Sequence, residues 1–327
     1  MLSGGYATGT LNEIIHSMLD KSRKKLIMAS IKSNAFMAWA FANDRVEFED
    51  GGANITNPLT VGRNPNVTSM QYYDPVPIAQ TDEWTTIRYG WSRVVGSLIM
   101  ADQEQDENQG DGAIFKIIEK KMEVLEESIK ETFSRYLYGS GAGTDPNGLA
   151  ACIPDDPTTG TFGGISRVTE TQWRTSAYQF SGGLDSTNIE EALDDVLLDL
   201  KLKDEKPDLF LFGRNPYRLY RQAIRDKVVI SIADTKKGKA MYDLGFAGFT
   251  HDGITCLYDE NCGVNRIYAI NSKYLRLHML KGVNMRVKEL VAPWTVDAIG
   301  RRIVWQGQYC VWRAFRTHAV IRNGTTG

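Results

Sequence analysis

Gly139-Ser140-Gly141-Ala142-Gly143 comes nearest to a phosphate cradle in this chain. Backbone amides of such a loop hold phosphate when a strand enters it and a helix leaves it. Upstream of Gly139 the apolar spacing is helical, and no Gly-Lys-Ser/Thr follows. The run therefore reads as a helix C-terminus and a turn. Asp102, Glu104, Asp106 and Asn108 alternate like the oxygen ligands of a calcium loop. The sixth position of such a loop needs glycine and the twelfth a glutamate; here they are Glu107 and Ala113. A polar loop leading into the next helix is the expected reading.

The remaining reactive side chains make no constellation. His16, His251, His278 and His318 show neither HxxxH nor HExxH spacing. His251 next to Asp252 could orient a base, but no nucleophile elbow accompanies the pair. Asp155-Asp156 and Asp194-Asp195 have no obvious acid–base partner. Cys152, Cys256, Cys262 and Cys310 match no zinc pattern, and four cysteines in 327 residues make no disulfide scaffold. They read as reduced, buried or semi-buried thiols, which fits a reducing cytosol. The residues argue against an enzyme, and no catalytic, cofactor or metal site is expected.

Composition is that of an ordinary folded chain. A net charge of −2 sets up no global basic field for nucleic acid or anionic membrane. No apolar run reaches the roughly 18 residues that cross a bilayer. Residues 1–10 lack the apolar core of a signal peptide.

The elements that must position these residues are clearer than the chemistry. Ile114, Ile118, Met122, Leu125, Ile129, Phe133 and Leu137 recur at three- and four-residue spacing. They predict one long amphipathic helix over 112–138, about 40 Å in length. Before it, Val46 and Phe48, then Ile55, Leu59 and Val61, then Ile87, Tyr89 and Trp91 alternate with polar residues. Period two predicts half-buried strands. Between them lie Gly62, Asn64-Pro65-Asn66 and Asp74-Pro75-Val76-Pro77, which are turn chemistry. The expectation is a long hairpin with an irregular tip. A two-stranded hairpin is marginal in water, and no helix inside the segment covers this one. Its packing is expected to be completed by a neighbour.

Residues 11–42 read as an amphipathic helical arm carrying the basic run Lys21, Arg23, Lys24 and Lys25. That run is a solvated face or an inward-facing contact to nucleic acid. Residues 139–188 read as loops. A more regular unit follows: a helix stripe at Ile189, Leu193, Val196, Leu197 and Leu200, a strand at 208–212, and a helix capped by Asn215 with Pro216 first. Strands are predicted at 254–258 and 266–270, and a β-rich tail at 302–321. The fold class is α+β.

Taken together these residues resemble the major capsid proteins of tailed bacteriophages with the HK97 fold. The resemblance rests on Asp50-Gly51-Gly52, on Ile55-Thr56-Asn57-Pro58-Leu59, on Gly62-Arg63-Asn64, on Tyr73-Asp74 and on Tyr89-Gly90-Trp91. It continues through Leu137-Tyr138-Gly139, the stretch from Asp155 to Arg167 with Trp173-Arg174, Gly245-Phe246, the stretch from Asp259 to Cys262, and Asn271-Ser272-Lys273-Tyr274-Leu275. It implies an N-terminal arm (1–45), an extended loop lying over the adjacent subunit (46–101), and a peripheral domain (102–189) holding the spine helix. It further implies an axial domain (190–290) and C-terminal strands (291–327) that return to the peripheral domain.

The implied function is a coat protein. It self-assembles through homo-pentamers and homo-hexamers into an icosahedral shell enclosing double-stranded DNA. The interface is expected at Asn57, Pro58, Leu59, Arg63, Tyr73, Asp74 and Trp84, and the basic arm on the inner surface. The expected partners are other copies of the chain, weakly held DNA, a portal, a separate scaffolding protein because the chain begins at the arm, and in some particles decoration proteins. The expected location is the virion capsid, assembled in the bacterial host cytoplasm. Two rival readings stand beside this one: an encapsulin-type nanocompartment shell, and a soluble α/β enzyme with a pocket near His251.

Overall fold

The computed structural model describes residues 13, 16–19, 23–28, 35–62, 64–80, 83–107, 111–180, 182–202, 205–224, 248–289 and 298–323. In the first half, α1 (Ala35–Ala42) precedes β1 (Val46–Glu49), β2 (Asn54–Thr60), β3 (Trp84–Gly90) and β4 (Ser92–Ala101). Then come α2 (Asp102–Glu107), α3 (Asp111–Leu137), α4 (Leu149–Cys152), β5 (Thr161–Phe162), β6 (Ile165–Ser166) and β7 (Ser176–Phe180). The second half runs α5 (Ile189–Leu200), β8 (Leu209–Phe212), α6 (Arg214–Ala223), β9 (Gly248–His251), β10 (Ile254–Tyr258) and β11 (Arg266–Ile270). It ends with β12 (Leu275–Leu280), β13 (Arg286–Glu289), β14 (Ala298–Val311) and β15 (Ala319–Asn323). Helix and strand together make the expected α+β architecture.

The first sheet is organised by β14. One edge of this long strand pairs antiparallel with β4 along residues 298–307. Its other edge takes β13 along 301–304 and β12 along 307–311. β1 adds to β12 in parallel. The spine helix α3 lies on this sheet by the stripe its spacing predicts. Ile118, Ile129, Phe133 and Leu137 are buried, and Met122 and Leu125 pack against the same core. Phe133 meets Trp305 of β14 edge to face at 4.8 Å.

The second sheet has the order β7-β15-β11-β8-β10-β9. β8 lies inside it, and all four of its residues are buried. Phe210 and Phe212 face the cluster built by α5, while Leu209 and Leu211 face the core shared with the first sheet. A strand covered on both faces loses polar alternation, which is why Leu209-Phe210-Leu211-Phe212 is a continuous apolar run.

The chain is partitioned differently from the expectation at several points. The stretch 46–101 is not one extended loop: β1 and β4 belong to the first sheet, and only 54–90 forms the hairpin. β12 and β13, expected in the axial unit, pair with β14 instead. The tail divides: β14 joins the first sheet, and β15 joins the second, between β7 and β11. Residues 102–107 form a short helix rather than a loop. α1 is buried at Ala35, Phe36, Met37, Ala38, Trp39 and Ala40. A helix apolar on all sides is core, not an amphipathic face. Its first amide, Ala35 N, donates to Asp259 Oδ2 at 2.9 Å. Asn215 lies within the first turn of α6, where Gly213 is the N-cap.

Candidate assembly surface

The hairpin β2–β3 runs in register from Asn54 opposite Gly90 to Thr60 opposite Trp84. Period two places Ile55, Leu59, Ile87 and Tyr89 on one face, and all four are buried. This corrects the expectation that the hairpin has no cover within its own chain. Arg88 N donates to Gly163 O at 2.9 Å. The Tyr89 ring lies 5.3 Å from that of Phe162 and 5.8 Å from that of Trp312. The stretch expected as loops, 139–188, supplies this cover through β5 and β6.

Beyond the base the cover ends. Asn66 clamps the tip by donating from Nδ2 to Ala79 O at 2.8 Å and accepting from Ala79 N at 3.0 Å. Asp74 Oδ2 accepts from Gln71 N at 2.8 Å. Among the described residues, the hydrogen bonds of 64–79 close within that segment. The tip is thus a folded polar frame with its large apolar side chains turned outward. Tyr72 and Tyr73 are fully exposed, Ile78 is 89% exposed and Trp84 71%. Val67, Met70 and Val76 are exposed beside them. Grouped exposure of this kind marks an interaction surface, whereas scattered exposed Leu or Val does not.

The residues expected at the interface sort accordingly. Tyr73, Asp74 and Trp84 lie on or beside the exposed tip, with the Asp74 carboxylate committed to its own turn. Pro58 is exposed and Asn57 half-buried at the base. Both line an open cavity of about 480 Å³ with Trp312, Arg313 and Phe315. Leu59 is buried within the chain and is no free contact residue. Arg63 lies outside the described residues. Tyr72, Val76 and Ile78 were not singled out from sequence. Their signal was an apolar residue between Pro or Gly turns with no periodic partner.

The basic arm is partly consumed. Lys21 lies outside the described residues. Arg23 Nη2 donates to Asn284 O at 3.1 Å. Lys25 Nζ pairs with Glu126 at 3.0 Å, and that hydrogen bond and charge raise the lysine pKa. Glu126 also meets Lys130 at 3.1 Å, the i,i+4 pair of the spine helix. Lys24 is exposed. Two cations of the run therefore attach the arm to the body of the chain.

The cysteines and the His251 pair are packed into the fold. All four cysteines are free and buried. Burial pushes the Cys152 thiol up to about 12, so it holds its proton at neutral pH. His251 bridges Tyr220 Oη at 2.8 Å and Asp194 Oδ1 at 2.9 Å. Burial drives the Tyr220 hydroxyl up, the reverse of an activated nucleophile. One cluster was missed: Glu47, Glu49 and His278 place donor atoms within 4.8 Å of one another. Glu47 and Glu49 read as the solvated side of a strand, and nothing local connects them to a histidine more than 200 residues on. Burial, the main cause, pushes the His278 imidazole below its ordinary value.

No family model and no curated protein matches the sequence. Solved structures do match. A chain of the cyanophage A-1(L) capsid asymmetric unit superposes with a TM-score of 0.63 over 86% of this chain and 90% of that one, at 15% identity. A chain of the native GTA particle capsid gives 0.53 over 88% and 91%, at 10% identity. The capsid of Myoviridae phage XM1 gives 0.50 over 87% and 91%, at 12% identity. The fold is the HK97-like capsid fold. The likeness spans nearly the whole chain. In this HK97-like fold the hairpin tip is a described segment that combines large exposed aromatic side chains with a hydrogen-bonded internal frame.

Proposed function

We propose that this chain is the major capsid protein of a tailed bacteriophage, a structural protein rather than an enzyme. Copies associate as homo-pentamers and homo-hexamers and close into an icosahedral shell around double-stranded DNA. The observation that carries this reading is the tip of the hairpin. Tyr72, Tyr73, Ile78 and Trp84 face water in the isolated subunit, on a fold shared with capsid subunits. Covering them on a neighbouring copy recovers about 25 cal/mol for each Å² of apolar surface removed from water. Such a contact joins two different patches of the subunit, and contacts of that type close into rings when the rotation is right. Residues 54–90 then serve as the extended loop, the unit on the first sheet as the peripheral domain, and the second sheet as the axial domain.

A near-neutral subunit suits a container for DNA. Strong phosphate contacts would hold the genome to the wall, and the net charge of −2 supplies none overall. The shell belongs to the virion and forms in the cytoplasm of the bacterial host. A scaffolding protein and a portal act with it during assembly, and decoration proteins join it in some particles.

Electron microscopy of the purified chain tests this, with and without a co-expressed scaffolding protein. Thin-walled polyhedral shells, or rings of five and six, are expected. Single subunits under both conditions count against it. Removing Gly62 to Pro77 should leave folded subunits or capsomers and abolish closed shells. Normal shells from that variant would remove the tip from the mechanism. The contents decide the cargo: DNA fits a phage capsid, and packaged enzyme fits a nanocompartment.

A further inference from the structure

Glu47 stands opposite His278 in the parallel pairing of β1 with β12, and Glu49 follows two residues on, on the same side. His278 is 1% exposed. Its Nε2 has no hydrogen-bond partner and lies 3.4 Å from Glu47 Oε2. Its Nδ1 meets Glu49 Oε1 at 3.0 Å. Trp312 holds the imidazole edge to face at 4.9 Å. The other carboxylate oxygen of Glu47 is taken by Arg276 Nη1, which leaves Oε2 free.

These spacings fit an ion. Two ligands each about 2.1 Å from one tetrahedral metal lie about 3.4 Å apart. That is the gap between Nε2 and Glu47 Oε2. A metal-bound imidazole ordinarily donates its second N–H to a carboxylate, which fixes the ring and its tautomer. Glu49 stands where that acceptor belongs. The cluster opens on a cavity of about 670 Å³ whose lining includes Asn54, Thr56 and Asn57. There is room for water to complete the coordination.

We propose that Glu47, Glu49 and His278 form a binding site for a divalent first-row transition metal. His278 Nε2 and Glu47 Oε2 are its protein ligands, and Glu49 is the carboxylate that orients the ring. The mixed nitrogen and oxygen donors suit zinc better than calcium, magnesium or manganese, which prefer oxygen ligands. The ion clips β1 to β12 just ahead of Gly51-Gly52, where the chain leaves the sheet for the hairpin. Arg276 already neutralises part of the Glu47 charge, so the affinity is micromolar rather than nanomolar.

The test is calorimetric titration of zinc chloride into the EDTA-treated full-length chain at neutral pH, beside E49Q and H278Q. One micromolar site is expected in the unaltered chain. Binding weakens about tenfold or more in E49Q, as loss of such an orienting carboxylate does, and disappears in H278Q. Glu49 is partly exposed, so E49Q keeps the fold and carries the test if H278Q does not fold. No binding by the unaltered chain up to millimolar zinc overturns the proposal, as does equal binding by folded E49Q. Neither result bears on shell assembly, which is scored separately by microscopy.

Discussion

The Tyr89 hydroxyl donates to the carbonyl of Val311 at 2.9 Å and accepts from the amide of the same residue at 3.3 Å. One side chain of the hairpin thus satisfies both backbone groups at the end of β14. Both residues are buried, so water cannot replace either bond. The base of the hairpin is thereby held to the first sheet before any neighbour is present. Tyr89→Phe leaves a buried carbonyl and amide without their partner. It should destabilise the subunit by about 1–3 kcal/mol in urea denaturation. An unchanged midpoint would mean that the two bonds contribute nothing net.

Gly163 supports the same base from below. Its φ is +60°, and an added Cβ would lie 2.7 Å from Ile87 Cγ2 and 3.1 Å from Tyr89 Cζ. Gly163→Ala therefore meets an unfavourable backbone conformation and a crowded apolar contact together. The expected loss is about 1–3 kcal/mol, with shells, where they form, of reduced thermal stability. Differential scanning calorimetry of Gly163→Ala against Gly160→Ala separates the two causes. Gly160 shares a positive φ but has open space where its Cβ would go.

The tip should separate folding from assembly. Tyr73→Ser and Trp84→Ser remove exposed side chains that touch little of their own subunit. Subunit stability should move by no more than about 0.5 kcal/mol, while the yield of closed shells falls steeply. Sedimentation velocity reads the assembly and chemical denaturation the stability. A matched loss of both would mean that the tip is part of the subunit core in solution.

His318 should give the subunit an acid sensitivity. It is fully buried and accepts at Nδ1 from Asn271 N at 3.2 Å. Burial pushes its pKa down to about 3 from 6.5. Between those values the unfolded chain binds more protons than the folded one. The stabilising contribution is complete above pH 6.5 and is lost as pH falls toward 3. Over the middle of that window the loss approaches about 1.4 kcal/mol per pH unit. Buried Asp208 and Asp259 are shifted upward and act in the opposite sense. The measurement is therefore the difference between the unaltered chain and His318→Gln across pH, which should narrow as the pH falls.

Local spacing alone determined the elements whose stability is local. The three- and four-residue apolar recurrence placed a helix at 112–138, and it runs from Asp111 to Leu137. Alternation placed the hairpin strands, and the apolar runs placed β10 and β11 at their observed limits. Turn residues marked the tip between them. Tertiary structure alone decided which strands lie side by side. β1 pairs with β12 and β4 with β14 across some two hundred residues, and no local pattern encodes a partner that distant. The same holds for the cover on the hairpin base. Phe162, Gly163 and Trp312 read as loop and tail residues, yet they bury the face that the sequence left bare. The cluster at His278 needed both facts at once. Its glutamates alternate like any solvated strand, and only the register of β1 on β12 sets them against a buried imidazole. Spacing is fixed by the covalent chain, whereas pairing is set by which apolar faces can cover one another, and that depends on the whole fold.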